Sequence, residues 1–140
     1  MKTPLVFLII LVSVVGASSG MARDKARPPT RLWKGIVAEV STQEEMIAVA
    51  CIVRNRLEKN MTIGLVAMDR PDLDEFVAKE KPSHIAWAKK AVAVVFNNRI
   101  EDITGGSDHF EDICYRQPRW ARGMKKIKQI GNVVCYRSGR

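Results

Sequence analysis

Over residues 32–40 the apolar side chains Leu32, Ile36 and Val40 recur every fourth position, and Trp33 and Val37 widen the stripe. That period predicts a short amphipathic helix with Glu39 near its C-terminal end. Ser41-Thr42-Gln43-Glu44 then reads as a capping box, with Ser41 as the cap and Glu44 reaching back three residues. The helix it opens, residues 42–59, carries Met46, Val49, Ala50, Val53 and Leu57 on one stripe. Ile47, Cys51 and Ile52 broaden that stripe, so this helix is expected to be central and mostly buried. Over residues 60–82 the period lapses. Gly64, Arg70-Pro71-Asp72 and Lys81-Pro82 predict a loop, with a turn of helix or an extended piece around residues 74–79. Ser83 is the expected cap of a second helix over residues 84–97, with Ile85, Ala88, Val92 and Val95 or Phe96 facing inward.

The last third changes character. Residues 102–107 read as a loop whose adjacent glycines, Gly105 and Gly106, permit positive φ and close backbone approach. His109-Phe110 can begin a strand, and Pro118-Arg119-Trp120 starts a short helix carrying Ala121 and Met124. Gly131-Asn132 separates two β-prone runs, residues 127–130 and 133–136, and suits a type II′ hairpin turn. Helices followed by a small antiparallel sheet make an α+β fold.

Composition adds the setting. The chain has 140 residues and a formal net charge of +8, with 46% hydrophobic residues. Its first residues, MKTPLVFLIILVSVVGASSG, have one Lys, an apolar run and then small side chains, the pattern of a secretory signal peptide. Residues 1–17 are therefore expected to be the signal, with cleavage near 17–20, followed by a basic leader at 18–31 and one domain at 32–140. The destination is secreted, periplasmic or cell-envelope. The apolar run is shorter than the ~20 residues a spanning helix needs. Length and pattern exclude a multi-span membrane protein and a two-domain dinucleotide enzyme, and the signal argues against a cytosolic enzyme. The positive charge predicts an anionic partner: nucleic acid, an anionic lipid face or bacterial wall polymer. Six basic residues between Arg116 and Lys128 concentrate it.

Several residues are candidates for chemistry. Glu39 is an acid among Ile36, Val37, Ala38 and Val40, and a carboxyl in an apolar cleft can serve as a general acid near neutral pH. Its competing reading is a solvated helix-end glutamate or a partner for Arg54 or Arg56. Asn55-Arg56 could orient a catalytic acid, or could fill a buried polar gap. The loop through Gly105, Gly106, Ser107, Asp108 and His109 could hold a ligand, or merely lead into an edge strand. Trp120, Tyr115 and Tyr136 offer faces for sugar rings. With only two histidines and no paired metal-ligand spacing, neither a metal nor another cofactor is expected. Cys51 is expected to pack as a small hydrophobe. Cys114 and Cys135 could form a disulfide after export.

These residues, in this order, resemble the SleB-type cell wall hydrolases, also called spore-cortex-lytic enzymes. The run IVAEVSTQEEMIAVACIVRNR (residues 36–56) is similar to that family's apolar stretch, Glu, polar gap and Ala/Val-rich helix ending in Asn-Arg. The tail DITGGSDHF (residues 102–110), then Pro118-Arg119-Trp120-Ala121, Ile130-Gly131-Asn132 and Tyr136-Arg137, resembles its Gly-Gly loop, Pro-x-Trp segment and closing hairpin. Three differences stand out. The gap after Glu39 is shorter and lacks a Gly-Glu continuation. Glu75-Phe76 stands where the family has Gln-Phe, and Cys135 replaces an aromatic residue. The resemblance implies a lysozyme-like, lytic-transglycosylase-like domain. It would cleave peptidoglycan between N-acetylmuramic acid and N-acetylglucosamine, with Glu39 as the essential acid and no cofactor. It implies that Asn55, Thr104, Gly105, Gly106, His109, Phe110 and Tyr136 line or support the cleft, with Trp120 beside them. The expected partners are glycan strands and anionic wall polymer, without specific nucleic acid, and the chain is expected to be a monomer. The rival expectations are a non-catalytic, basic envelope-binding protein on the same fold and an exported nucleic-acid binder, for which no motif speaks.

Overall fold

The computed structural model describes residues 25–113 and 119–139. The expected signal peptide lies outside them, as do Cys114 and Tyr115. Four helices, α1 (Leu32–Glu39), α2 (Gln43–Glu58), α3 (Leu73–Ala78) and α4 (Pro82–Val92), precede three strands, β1 (His109–Asp112), β2 (Lys125–Ile130) and β3 (Val133–Arg137). The strands form one antiparallel sheet in the order β1-β3-β2. The fold is therefore α+β.

Helix α2 is central because every face of it is apolar or bonded. Met46, Ala48, Val49, Ala50, Cys51, Ile52 and Val53 are all at most 1% exposed. Burying a side chain of this size contributes about 1.5–3 kcal/mol for each of the larger residues, so α2 carries much of the core. Its cap lies one residue beyond the expected position. Thr42 is the N-cap, and its Oγ1 accepts from the Glu45 N–H at 3.2 Å. Glu45 Oε1 in turn accepts from the Thr42 N–H at 3.1 Å. The register moved because Glu45 has a second task. Its Oε2 accepts from the Asn132 N–H at 3.0 Å, which docks the β2–β3 turn onto the start of α2. Ser41 and Glu44, the pair expected from sequence, are both exposed.

That turn has the expected two-residue form, with Ile130 opposite Val133. Gly131 sits at φ +56° while Asn132 does not enter the positive-φ region, as a type II′ turn requires. A Cβ on Gly131 would lie 3.0 Å from Glu45 Cγ, so the site also needs glycine for space.

Helix α4 begins before the expected Ser83 cap. Pro82 occupies the first turn, where its missing N–H costs nothing, and Lys81 is an N-cap without a side-chain bond. The helix ends in a π-helical turn, Ala93–Asn97. The buried Arg54 guanidinium donates to Val95 O at 2.7 Å and Ile100 O at 3.1 Å, which satisfies carbonyls that the wider turn and the following segment leave over. Residues 60–82 hold two short helical pieces, a 3-10 turn at Val66–Asp69 and α3. The latter agrees with the turn of helix expected near residue 74. A further 3-10 turn, Arg119–Ala121, replaces the short helix expected after Pro118. In the leader, Ala26 packs against the core, so the packed unit starts ahead of residue 32.

Candidate functional site

Strand β1 is an edge of the sheet, and a cleft of about 290 Å³ runs beside it. Glu39, Ile52, Val53 and Arg56 line one side, Ile63, Gly64, Leu65 and Val66 a second, and Asp108, His109, Phe110 and Trp120 the third. The fold thus brings together Glu39, His109, Phe110 and Trp120 of the expected site residues.

Glu39 is the last residue of α1 and half-buried. Burial pushes its carboxyl above the usual glutamate value of 4.5, and the nearby Asp112 carboxylate adds to the effect. The C-terminal end of a helix dipole acts in the same direction. Both arginines considered as its partners are engaged elsewhere. Arg54 is spent on the end of α4, and Arg56 donates to Thr62 O and Asp108 O, each at 2.8 Å. The backbone after Glu39 is also held. His84 Nε2 lies 3.1 Å from Val40 O while its Nδ1 lies 2.7 Å from Glu80 Oε2, so α4 clamps the joint between α1 and α2.

The opposite wall is set by the 102–109 segment. Asn55 is 9% exposed and works beneath the cleft rather than in it, donating to Asp102 Oδ2 and Ser107 O at 2.8 Å. Asp102 also accepts from the backbone N–H groups of Thr104 and Gly106 and from Thr104 Oγ1. Burial works against its ionisation, yet these hydrogen bonds outweigh it and hold the carboxyl below the usual aspartate value. Gly105 and Gly106 take the positive φ expected of them, +64° and +79°. Thr104 is fully buried, and neither it nor the two glycines lines the cleft; all three shape the loop.

Asp108 is fully buried and fully bonded. It accepts from Ser138 N and Oγ, Lys59 Nζ and His109 Nδ1, at 2.6–2.9 Å. Burial alone would raise its pKa, but the bonds from Ser138, Lys59 and His109 hold it far below the usual range. With Nδ1 turned to Asp108, His109 Nε2 faces Arg56 Nη1 at 3.5 Å, and the ring is fixed from both ends. Trp120 leans on it at 5.4 Å between ring centroids and remains 42% exposed, so part of the indole is accessible in the cleft. Tyr136 packs edge-on behind Trp120 at 5.8 Å, buried, with its hydroxyl on Glu111 Oε1. Its position is supporting, like that of Asn55.

Residues 63–66 were not legible as a cleft wall. They have no motif of their own; Leu65 lies against Gly35 of α1, and Gly64 lies against Arg56 of α2, which also bonds Thr62 O. Asp112 was missed for the same reason, since no sequence spacing relates it to Glu39. Glu75 is exposed on α3 and does not line the cleft, and Phe76 stacks under Arg70. Among the described residues no His, Cys, Asp and Glu cluster could hold a metal ion. Cys51 packs in the core as expected. Cys135 is a buried free thiol pushed up to about 11, by burial first and then by Asp102, and its expected partner Cys114 lies outside the described residues.

Chemically, the cleft pairs a carboxyl held toward its protonated form with a partly exposed indole and a fixed imidazole. That set can protonate a leaving group on a ring-shaped ligand seated against Trp120. No family model matches the chain, and no curated protein or solved structure matches it either.

Proposed function

We propose that this chain is an exported peptidoglycan-cleaving glycosidase of lysozyme-like layout, acting as a lytic transglycosylase on the bond from N-acetylmuramic acid to N-acetylglucosamine. The observation that carries the reading is Glu39: a carboxyl raised above 4.5, in a cleft of about 290 Å³ opposite Trp120 and His109. The ordered motifs at residues 36–56, 102–110 and 118–137 support it.

In this mechanism the protonated Glu39 gives its proton to the glycosidic oxygen, and the C1–O bond of the muramoyl residue breaks. The N-acetyl group of that residue steadies the positive C1. The Glu39 carboxylate then takes the proton of the muramoyl 6-hydroxyl as that oxygen bonds to C1. The product is a 1,6-anhydro ring, and Glu39 ends protonated as it began. Asn55 and Asp108 act through the loop and the imidazole that they hold.

Asp112 favours a second outcome. A carboxylate close enough to raise Glu39 could activate water instead, giving ordinary reducing ends. Mass analysis of soluble products from peptidoglycan incubated with the protein separates the two, with Glu39→Gln run beside it. Anhydro-muropeptides lost in the variant support the transglycosylase, and reducing ends lost in the variant support the hydrolase. No soluble product from either protein refutes cleavage and leaves a non-catalytic envelope-binding protein.

A further inference from the structure

A second cavity, of about 530 Å³, lies away from Glu39 and is lined by Lys25, Ala26, Arg27, Leu57, Glu58, Asn60 and Arg99. Three of these residues are cations and one is an anion. The anion is already committed, since Arg99 Nη2 donates to Glu58 Oε1 at 3.0 Å. Arg99 Nη1, however, is buried without any hydrogen-bond partner. A guanidinium N–H withdrawn from solvent and left without an acceptor is costly, and native structures seldom keep one unless something else supplies the acceptor. The backbone around it is also constrained. Arg99 has φ +48° and Asn60 φ +57°, the left-handed turn that ends a helix, closed by Ile100 N–H on Val94 O and Met61 N–H on Arg56 O, so the ends of two helical segments fix the cavity wall.

We propose that this cavity is an oxyanion site for a phosphate group. The Arg99 Nη1–H would donate to one phosphate oxygen while Lys25 and Arg27 supply positive charge from the rim. Glu58 holds the Arg99 guanidinium in place, so a ligand meets a pre-set donor rather than a freely rotating one. With Glu58 counted, the lining keeps a surplus of positive charge, which suits a dianionic phosphate. The apolar patch of Leu57 and Ala26 is where a group attached to the phosphate would rest. This proposal does not depend on cleavage of peptidoglycan, because none of these residues lines the Glu39 cleft.

Calorimetric titration of the full chain with inorganic phosphate, against chloride at matched ionic strength, tests it. The expected result is saturable phosphate binding that chloride does not reproduce. Arg99→Gln should weaken it about tenfold or more, the usual effect of removing one charged hydrogen bond. Because Arg99→Gln also loses the bond to Glu58, Arg27→Gln serves as a surface variant that leaves the fold intact, and it should weaken binding several-fold. Glu39→Gln should leave it unchanged. A parallel titration with a glycerol-phosphate oligomer distinguishes the source: tighter binding than inorganic phosphate points to a phosphodiester polymer, weaker binding to a free phosphate. No saturable binding beyond chloride, or binding that neither Arg99→Gln nor Arg27→Gln changes, would overturn the proposal.

Discussion

Replacing Glu45 by Ala tests how the sheet is fastened to the helices. Glu45 is 3% exposed and accepts two backbone N–H groups, those of Thr42 at 3.1 Å and Asn132 at 3.0 Å. Loss of the capping half costs about 0.5–1 kcal/mol. Loss of a carboxylate acceptor for the part-buried Asn132 N–H costs a further ~1.5–3 kcal/mol. The sum is roughly 2–4 kcal/mol, or a fall in Tm of about 8–16 °C at ~4 °C per kcal/mol for a domain near this size. Thr42→Ala removes only the cap and should cost about 1 kcal/mol. The gap between the two variants measures the hairpin tether. Gly131→Ala adds a cross-check, because its new Cβ would lie 3.0 Å from Glu45 Cγ. In the Glu45→Ala background that obstacle disappears and only the φ penalty remains, so the two substitutions should cost less together than the sum of their separate costs. Thermal melts and denaturant titrations of the unsubstituted protein and the four variants supply the numbers. Amide exchange at β3 should accelerate in Glu45→Ala and not in Thr42→Ala. If Glu45→Ala costs no more than Thr42→Ala, the tether carries no energy and the reasoning fails.

Other predictions follow from the buried charges. Glu39→Gln should abolish product formation and also stabilise the protein at neutral pH. An acid whose folded pKa lies above 4.5 loses stability as pH rises through that folded value. The Tm gain of Glu39→Gln should therefore vanish near about pH 4 and appear near about pH 7.5, and an equal effect at both would contradict the raised pKa. For Asp108 the sign is opposite. Its folded pKa lies below 3.8, so its stabilisation is complete above that value and is lost as pH falls beneath it. Asp108→Asn should thus cost most at about pH 6 and progressively less toward about pH 2, as followed by Tm; a constant cost would refute this. Asn55→Ala leaves Asp102 and Ser107 O each short of a bond and should cost about 2–4 kcal/mol, with loss of peptidoglycan cleavage even at temperatures where the variant is folded.

What was legible in the sequence was what periodicity and turn chemistry encode. The α1 stripe, the length of α2, the hairpin at Gly131-Asn132 and the strand starting at His109 all lie where the pattern puts them. One error arises from contact between segments distant in sequence and another is local. Ser41-Thr42-Gln43-Glu44 satisfies the capping pattern as well as Thr42-Gln43-Glu44-Glu45 does. Asn132, 87 residues away, selects the second by bonding to Glu45. The start of α4 was read from Ser83, whereas Pro82 could take the first turn without any cap. In the site, the apolar neighbours of Glu39 left both a cleft acid and a helix-end acid open, and the fold places it in the cleft near Asp112. The 63–66 wall could not be read, since its residues acquire a role only by packing against α1 and against Arg56 of α2.

For the pair Asn55-Arg56 the sequence left open orienting the acid or filling a buried polar gap, and the geometry bonds both residues to the 102–109 segment. Consecutive helical residues point about 100° apart, so Arg54, Asn55 and Arg56 on α2 reach three different segments. Arg54 fixes the end of α4 through Val95 O and Ile100 O. Asn55 fixes the loop through Asp102 and Ser107. Arg56 fixes the entry to β1 through Asp108 O, together with Thr62 O in the 60–66 wall. Glu39 is attached to the same helix by a separate route, the short joint that His84 clamps at Val40. The acid and the aromatic wall facing it are therefore both referenced to α2, and their separation does not depend on the long loops between them. That helix is buried along most of its length and capped by its own Thr42 and Glu45. This explains why three polar residues can sit together at its C-terminal end, where apolar packing alone would have been cheaper to fold. The bonds of Asn55 and Arg56 position the loop and the strand entry beside the cleft, so loosening either should alter the geometry around Glu39 before it unfolds the protein.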